Sequence, residues 1–397
     1  MKPTQIAYLL ILIMSGLLGC QPTEEPMESS PDSHLFFVGT YTQKEGHVDG
    51  KAAGIYVCGM DKKTGTVSML DTLSGITNPS YLTPHPNGKF VYAVSEIAAA
   101  DAYVGEVVAL AFDPETQQLS HLNAVSSHGN APCHISVAPD GSMVLVANYV
   151  GGTVAGFPLK EDGSLAEASS VHQHAYAQSS HPRQEAAHAH MIQALDEQYV
   201  LAADLGSNQL IHYSREAGDS LALQAMTTVQ AEGGPRHFAC HPEKNWLYVL
   251  NELSATVELY DADSLQQSLP AVQRISTISD SSRAVPTISC AAIHLHPNGR
   301  FLYVSNRGLG ESQENSIASF AISPEDGQLS FLGSVSSGGS IPRDFAISPD
   351  GKFLVVANQN SDNLLTYSIN EAGLPVATGQ EFSLPTPVCL KFWPGQP

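Results

Sequence analysis

A segment of 18 residues recurs along this chain with the same order of apolar, proline and glycine positions, and this repeat is the strongest constraint on the fold. Its copies are PSYLTPHPNGKFVYAVSE (79–96), PCHISVAPDGSMVLVANY (132–149), PRHFACHPEKNWLYVLNE (235–252), CAAIHLHPNGRFLYVSNR (290–307) and PRDFAISPDGKFLVVANQ (342–359). A degenerate copy is HAHMIQALDEQYVLAADL (188–205). The six starts at 79, 132, 188, 235, 290 and 342 lie 47 to 56 residues apart, a period typical of repeat architectures.

Each unit predicts a strand, a Pro-x-Gly turn and a second strand. Further strand pairs lie between the units, for example SIASFAISPEDGQLSFLG (316–333), so each period holds four strands, as in a propeller blade. The segment PVCLKFWP (387–394) matches only the first strand of the unit, and LFFVGTY (35–41) matches only the second. We therefore predict an all-β, seven-bladed β-propeller over residues 34–397, closed across the N- and C-termini. A pair of β-sandwiches is the alternative, and the fixed period disfavours it.

The N-terminus predicts export. A positive start at Met1 and Lys2 precedes the apolar run QIAYLLILIM (5–14), which is too short to span a bilayer. The following Leu17-Leu18-Gly19-Cys20 resembles the lipobox of bacterial lipoproteins. This pattern predicts a signal peptide over 1–19, a lipidated Cys20 and a flexible tether over 20–33. The protein is then exported and lipid-anchored at the cell envelope, on the periplasmic or cell-surface side. An ordinary cleaved signal with a chance cysteine is the alternative.

Composition excludes several classes of partner and cofactor. The chain has 39 acidic and 18 basic residues, whereas a nucleic-acid partner requires a surplus of Lys and Arg. Five histidines fall within VHQHAYAQSSHPRQEAAHAH (171–190), but their spacing fits no metal-ligand frame, and the cysteines form no CxxC pair. No G-x-S-x-G or phosphate-binding glycine loop is present. We expect no metal and no cofactor. Apart from Cys20, five cysteines remain, and because most lie in apolar strand-like runs, we expect them to be small core residues.

The repeat itself indicates where a site can form, because equivalent positions of different blades converge on one central channel. Only 14% of the residues are charged, yet many of the ionisable side chains fall at blade ends. Arginine presents a planar fork that suits a carboxylate or phosphate, and a Glu among arginines with nearby histidines can act on a lactone or ester. These blade-end residues are Glu96, His134, His188, His190, Arg236, His237, Glu252, Arg307 and Arg343.

Structural roles are the alternative for several of these residues. Arg236 and Glu252 can form an ion pair that holds one blade together. The blade-end histidines can be packed core side chains with no part in chemistry. Three other histidines, placed beside the turn in the repeat, are predicted to be purely structural: His85, His241 and His296.

Several stretches carry a resemblance to a known family, the bacterial lactonases with seven-bladed propellers. They include RQEAAHAH (183–190), DLGSNQ (204–209), GGPRHFACHPEKNWLYVLNEL (233–253) and TPVCLKF (386–392). That family includes the propeller-type 6-phosphogluconolactonases and is similar to the fungal carboxy-cis,cis-muconate lactonizing enzyme. The resemblance covers nearly all of residues 35–394. It implies the same fold and an activity on lactones.

By that resemblance, the catalytic residues are His188, Arg236, Glu252 and Arg307, with His188 and His190 interchangeable within the His-Ala-His motif. We expect the substrate to be bound by His190, His237 and Arg343. In the predicted reaction the arginines hold the substrate anion or the developing oxyanion, and Glu252 or His188 activates water or transfers a proton.

The predicted function is hydrolysis of a sugar or organic-acid lactone in the central channel, as in carbohydrate metabolism. A small lactone is the expected partner, with membrane contact through the lipid anchor only. Two alternatives remain open: a non-catalytic, surface-anchored propeller that binds a sugar or peptide, and a muconate-type lactonizing enzyme. Export is at odds with a phosphorylated cytoplasmic substrate, so the particular lactone and the oligomeric state are left open.

Overall fold

Each repeat unit folds into two antiparallel strands joined at its turn, and two further strands complete each sheet. The computed structural model describes residues 32–395, except residues 47, 99–104, 177–178, 180, 218, 280–287 and 310–313. Over these ranges the chain consists of strands and turns, and it has no helix that could cross a membrane. The predicted signal peptide, Cys20 and the tether up to residue 31 lie outside the described residues.

Seven four-stranded antiparallel sheets form the blades, and the strands of each blade follow one another from the channel outward. Blade 1 consists of β30 (Pro387–Phe392), β1 (Ser33–Thr40), β4 (Gly54–Asp61) and β5 (Val67–Ser74). Blade 2 consists of β6 (Leu82–Pro84), β7 (Phe90–Ser95), β8 (Glu106–Asp113) and β9 (Gln118–Ser126). Blade 3 consists of β10 (Pro132–Val137), β11 (Met143–Asn148), β12 (Thr153–Pro158) and β13 (Ser170–Gln173). Blade 4 consists of β14 (Ala189–Ala194), β15 (Tyr199–Asp204), β16 (Gln209–Glu216) and β17 (Ser220–Thr228).

The remaining three blades have the same order of strands. Blade 5 consists of β18 (Pro235–Cys240), β19 (Trp246–Asn251), β20 (Thr256–Asp261) and β21 (Ala271–Ser276). Blade 6 consists of β22 (Ile288–Leu295), β23 (Phe301–Gly308), β24 (Ser316–Ile322) and β25 (Leu329–Ser336). Blade 7 consists of β26 (Pro342–Ile347), β27 (Phe353–Asn358), β28 (Asn363–Ile369) and β29 (Pro375–Ser383). A small hairpin of β2 (Lys44–Glu45) and β3 (Val48–Asp49) lies apart from the blades.

The two chain ends share blade 1, which confirms the predicted closure. Strand β1 pairs with β30, with Phe36 opposite Phe392 and Val38 opposite Leu390. On its other side β1 pairs with β4, so the N-terminal strand lies inside a sheet rather than at an edge. The ring of blades is therefore closed by backbone hydrogen bonds between strands from opposite ends of the sequence.

The histidines beside the turns join neighbouring blades. The His85 imidazole contacts the Gly141 carbonyl of the next blade at 3.0 Å and accepts the backbone N–H of Asn87. A Cβ on Gly141 would lie 2.7 Å from the His85 ring, so this close approach requires glycine. His241 and His296 make the same contact with Gly299 and Gly351. These three histidines therefore hold the ring together and lie away from the central channel.

A β-bulge near the start of the innermost strands aims side chains into the channel. In blade 3, Pro132 pairs with Asn148 and His134 with Ala147, so Cys133 between them has no partner in the ladder. A bulged residue changes the direction of its side chain relative to a regular strand. Four of the bulged side chains line a cavity in the channel: Cys133, His190, Arg236 and Arg343.

In blade 4 the structure matches the degenerate repeat to the other copies one residue away from where a gapless alignment of the sequences puts it. Ala189 pairs with Asp204 just as Pro235 pairs with Asn251 in blade 5. Because the intervening segment is one residue shorter in blade 4, His190 takes the place that Arg236 has in blade 5. His188 instead precedes the innermost strand.

Candidate active site

The blade ends enclose a cavity of about 570 Å³ at one end of the channel. Most of its charged and polar side chains belong to two sets: the bulged residues, and residues at or just past the end of the second strand of several blades. This second set occupies the last position of the repeat unit and includes Glu96, Tyr149, Glu252, Arg307 and Gln359. The cavity is therefore built from equivalent positions of several blades, as the repeat predicts.

A single buried carboxylate organises the charged wall of this cavity. Glu252 is only 1% exposed, and its Oε2 accepts a hydrogen bond of 2.7 Å from Arg236 Nη1. Its Oε1 lies 3.2 Å from Arg183 Nη2 and 3.1 Å from Arg307 Nη2, and it also accepts the Ser289 hydroxyl at 3.1 Å. Three guanidinium groups thus converge on one carboxylate.

This arrangement keeps Glu252 ionised. Burial alone would raise the pKa of the Glu252 carboxyl, but Arg307, Arg236 and Arg183 lower it more, so its pKa lies well below the usual range. A carboxylate with so low a pKa is a weak proton acceptor near neutral pH. Glu252 is therefore better suited to holding the arginines in place than to activating water.

The arginines differ in their surroundings. Burial lowers the pKa of Arg307 to about 9, with nearby Arg236 and Arg343 contributing in the same direction and Glu252 opposing. Arg307 also donates to the Cys290 carbonyl at 2.9 Å. Arg343 donates to the Tyr41 hydroxyl at 3.1 Å and lies over the Tyr41 ring. Among the described residues, no carboxylate lies within ion-pair distance of Arg343.

His190 presents an imidazole to the cavity. Its Nε2 accepts a hydrogen bond from Arg236 Nη1, and its Nδ1 lies 3.8 Å from Cys133 Sγ. Burial, followed by the charges of Arg236 and Arg343, holds the pKa of His190 well below its ordinary value. The ring is therefore neutral at neutral pH.

His188 and His237 lie outside this cavity. His188 stacks on the far side of Tyr149, with ring centroids 4.5 Å apart, and its two nitrogens contact the Tyr149 carbonyl and the Glu185 carboxylate. His237 follows the bulge and lines a different cavity further along the channel. Of the seven residues predicted to form the site, the structure brings five together in one cavity: His190, Arg236, Glu252, Arg307 and Arg343.

Arg183 and Tyr149 extend the charged wall around Glu252. Arg183 Nη2 donates to the Tyr149 hydroxyl at 2.8 Å as well as reaching Glu252. Tyr149 occupies the same repeat position as Glu252, so the repeat carries a signal for it. Arg183 comes from the connection between β13 and β14, outside the repeat units, and the repeat therefore gives no indication of its place.

The histidine-rich stretch 171–190 does not gather its side chains around one point. His174 pairs with the buried Asp204 at 2.6 Å, whereas His172 contacts the Leu221 carbonyl. In the described ranges, no group of three or more His, Cys, Asp or Glu side chains is arranged to hold a metal ion.

The chain matches a family of known propellers over almost its whole described length. Residues 35–392 match the family described as "Lactonase, 7-bladed beta-propeller", and the chain belongs to this family. It is 34% identical to a 6-phosphogluconolactonase of Bacillus subtilis over 362 residues, which cover 90% of this chain and 98% of that one. It is 31% identical to a 6-phosphogluconolactonase of Formosa agariphila over 337 residues, which cover 83% of this chain and 91% of that one.

Solved structures agree with this assignment. The periplasmic gluconolactonase of Pseudomonas aeruginosa superimposes with a TM-score of 0.82 at 31% identity, covering 92% of this chain and 100% of that one. These matches confirm the resemblance seen in the sequence and the predicted class of enzyme, a lactone hydrolase.

The charge network predicts how Glu252 affects stability. Replacing Glu252 by Gln leaves Arg236 and Arg307 buried without a counter-charge, so we expect the free energy of unfolding at pH 7 to fall by about 3–5 kcal/mol. Because the folded-state pKa of Glu252 is lowered, its contribution is fully present above its unfolded pKa of about 4.3 and is lost as pH falls toward the folded value. Urea unfolding of both proteins between pH 3 and pH 8 measures this difference.

Glu96→Gln is the matched control. Glu96 also lines the cavity, but its Oε2 contacts the hydroxyls of Tyr41 and Ser80 rather than guanidinium groups. Its replacement should cost about 1 kcal/mol, the usual value for a hydrogen bond between side chains. Equal losses in both variants, or a Glu252→Gln deficit that does not change with pH, would contradict the proposed electrostatic role.

Proposed function

We propose that this protein hydrolyses a sugar or organic-acid lactone in the cavity formed around Glu252. The observation that carries the proposal is the set of guanidinium groups held on one buried carboxylate at the cavity wall. Fixed donors of this kind stabilise the negative charge that develops on a carbonyl oxygen when water attacks. The names of the relatives, 6-phosphogluconolactonase and periplasmic gluconolactonase, support this reaction class.

In the proposed reaction, water adds to the lactone carbonyl and the ring ester C–O bond breaks, which yields a hydroxy acid. Arg236 and Arg307 donate to the carbonyl oxygen as it becomes an oxyanion. Glu252 holds both guanidinium groups at the cavity wall, and only the Arg236 donor that contacts His190 has to turn toward the substrate. No covalent nucleophile is required, because a lactone is already an activated ester.

His190 is the proposed proton acceptor for the attacking water. Its ring is neutral and lines the cavity, and its Nε2 lone pair accepts from Arg236. The charges of Arg236 and Arg343 that help to lower its pKa are offset as the carbonyl oxygen becomes an oxyanion, which makes His190 a stronger proton acceptor during the reaction. When a lactone carbonyl draws the Arg236 guanidinium toward itself, this lone pair becomes available to water. The proton taken from water then passes to the ring oxygen as it leaves.

This assignment distinguishes two histidines that the sequence left interchangeable. We expect His190→Gln to lower kcat on a responsive lactone by about 10²–10⁴, the usual loss for a general base. His188→Gln serves as the matched control and should lower kcat by less than about tenfold, because His188 reaches the cavity only through Tyr149. A pH-stat assay of acid release measures both. The proposal is wrong if His188→Gln is the more damaging change in a folded protein.

Arg343 is proposed to bind an anionic group on the substrate. It is half-buried, it lines the cavity, and its guanidinium contacts the neutral hydroxyl of Tyr41 rather than a carboxylate. A cation without a carboxylate partner gains more from a ligand anion than the arginines already paired with Glu252.

Arg343→Met should therefore change substrate preference. For lactones that carry a carboxylate or phosphate, we expect kcat/KM to fall by about tenfold to a hundredfold, the worth of a charge-assisted hydrogen bond. For neutral sugar lactones the change should be small. The measurement compares 6-phosphogluconolactone with unphosphorylated gluconolactone, and equal losses on both would contradict the role. If purified wild-type protein binds such lactones but releases no hydroxy acid from any, the hydrolase proposal fails.

The cellular location is also a proposal. We propose that residues 1–19 form a signal peptide, that Cys20 is lipidated and that residues 20–33 tether the propeller of residues 34–397 to the cell envelope. Support comes from the apolar run and the Leu-Leu-Gly-Cys sequence, and from the structural likeness to a periplasmic gluconolactonase.

Metabolic labelling tests the anchor. Cells that express the full chain and grow with a clickable fatty acid should give a labelled protein that fractionates with membranes. Cys20→Ala should remove both the label and the membrane association. The matched control is Cys58→Ala, which alters a buried cysteine of β4 and should leave labelling unchanged. Labelling that survives Cys20→Ala would contradict the proposal.

A further inference from the structure

A second cavity, of about 350 Å³, lies further along the channel, on the opposite side of the bulged residues from the first cavity. The innermost strands line it with residues that follow the bulges. Its polar side chains include Tyr81, His134, His237, His294 and Lys391. None of these residues has a part in the proposed hydrolysis.

Lys391 is a cation with few partners in this cavity. Its Nζ donates to the Tyr81 hydroxyl at 3.0 Å and lies 4.6 Å from the centre of the Tyr81 ring. Among the described residues, no carboxylate lies within ion-pair distance of this ammonium group. The Asp344 carboxylate nearby accepts from the His294 ring and from the backbone N–H of Leu390. Lys391 is half-buried and therefore keeps donors available toward the cavity, where an anion can serve as its counter-ion.

A second observation concerns His237, which lines the same cavity. His237 is 6% exposed, and its Nε2 has no hydrogen-bond partner in the described part of the chain, although buried polar atoms are usually paired. Burial and the nearby charges of Arg236 and Lys391 hold the pKa of His237 well below its ordinary value, so its ring is neutral. A neutral imidazole with its proton on Nε2 is a hydrogen-bond donor.

We propose that this second cavity is a binding site for a small oxyanion, a carboxylate or a phosphate, held by Lys391 Nζ and His237 Nε2. One oxygen accepts from the ammonium group and another accepts from the imidazole. The rings of Tyr81 and His134 pack against His237 and hold it in position, with centroids 5.9 and 5.6 Å away. This site is independent of the lactonase proposal, because it shares no charged residue with the first cavity.

The test follows the histidine ring signals of isotopically labelled protein by NMR during titration with acetate and, separately, with inorganic phosphate. The His237 and His190 signals are assigned from the His237→Gln and His190→Gln variants. Because the arginines of the first cavity also attract anions, titrations are repeated in an Arg343→Met background. We expect the His237 signal to shift with at least one anion in both backgrounds, and the two titrations show whether carboxylate or phosphate binds more tightly.

Lys391→Met should raise the Kd of the anion, measured from the His237 shift, by about tenfold to a hundredfold. Lys391→Arg should restore most of the lost affinity. Lys352→Met removes an exposed lysine that already pairs with Asp350 and should have no effect. If Lys391→Met does not fold, Lys391→Ser replaces it. In addition, calorimetric titration of His237→Gln measures the anion affinity that remains without the other donor. A His237 signal that neither anion moves, or that moves equally with and without the Lys391 charge, would overturn the site.

Discussion

The antiparallel ladder between β1 and β30 is the constraint on which the rest of the structure depends. It joins the first and last strands of the propeller and so closes the ring of seven blades. Blade 1 then supports both cavities, because Tyr41 follows β1 and contacts Arg343 of the first cavity, and Lys391 of β30 lines the second cavity beside Tyr81. Without this ladder, the channel would open to solvent on one side, and high-dielectric water would weaken each charge interaction within it.

Within the closed ring, the bulge lets two consecutive residues of one strand line two different cavities. Arg236 is the bulged residue of β18 and faces the carboxylate of Glu252, while His237 directly after it lines the second cavity. A regular strand would send consecutive side chains to opposite faces of the sheet, toward neighbouring blades. The extra residue instead directs one side chain to each end of the channel. The repeat thus uses a common backbone to present different side chains from each blade.

The repeat made the fold and much of the first cavity predictable, since blade count, closure and the positions of Arg236, Glu252, Arg307 and Arg343 all follow from equivalent positions in the copies. Three features were not predictable on this basis. The choice between His188 and His190 depends on a segment that is one residue shorter in blade 4, which a gapless alignment hides. Arg183 reaches Glu252 from a connection outside the repeat. His237 was expected beside the substrate, but the bulge directs it to the other cavity.

The distribution of charge connects these observations. The chain carries a net charge of −21 and only 18 lysines and arginines, yet Arg183, Arg236, Arg307, Arg343 and Lys391 all lie along the channel. An acidic exterior repels anions only over about 8 Å at physiological ionic strength, so it does not prevent a small anion from reaching the channel mouth. Within the channel, Arg236 and Arg307 are buried, so water screens their charges less than it screens exposed ones. The channel thus concentrates cations in a protein whose net charge is negative, and a net charge far from zero favours solubility.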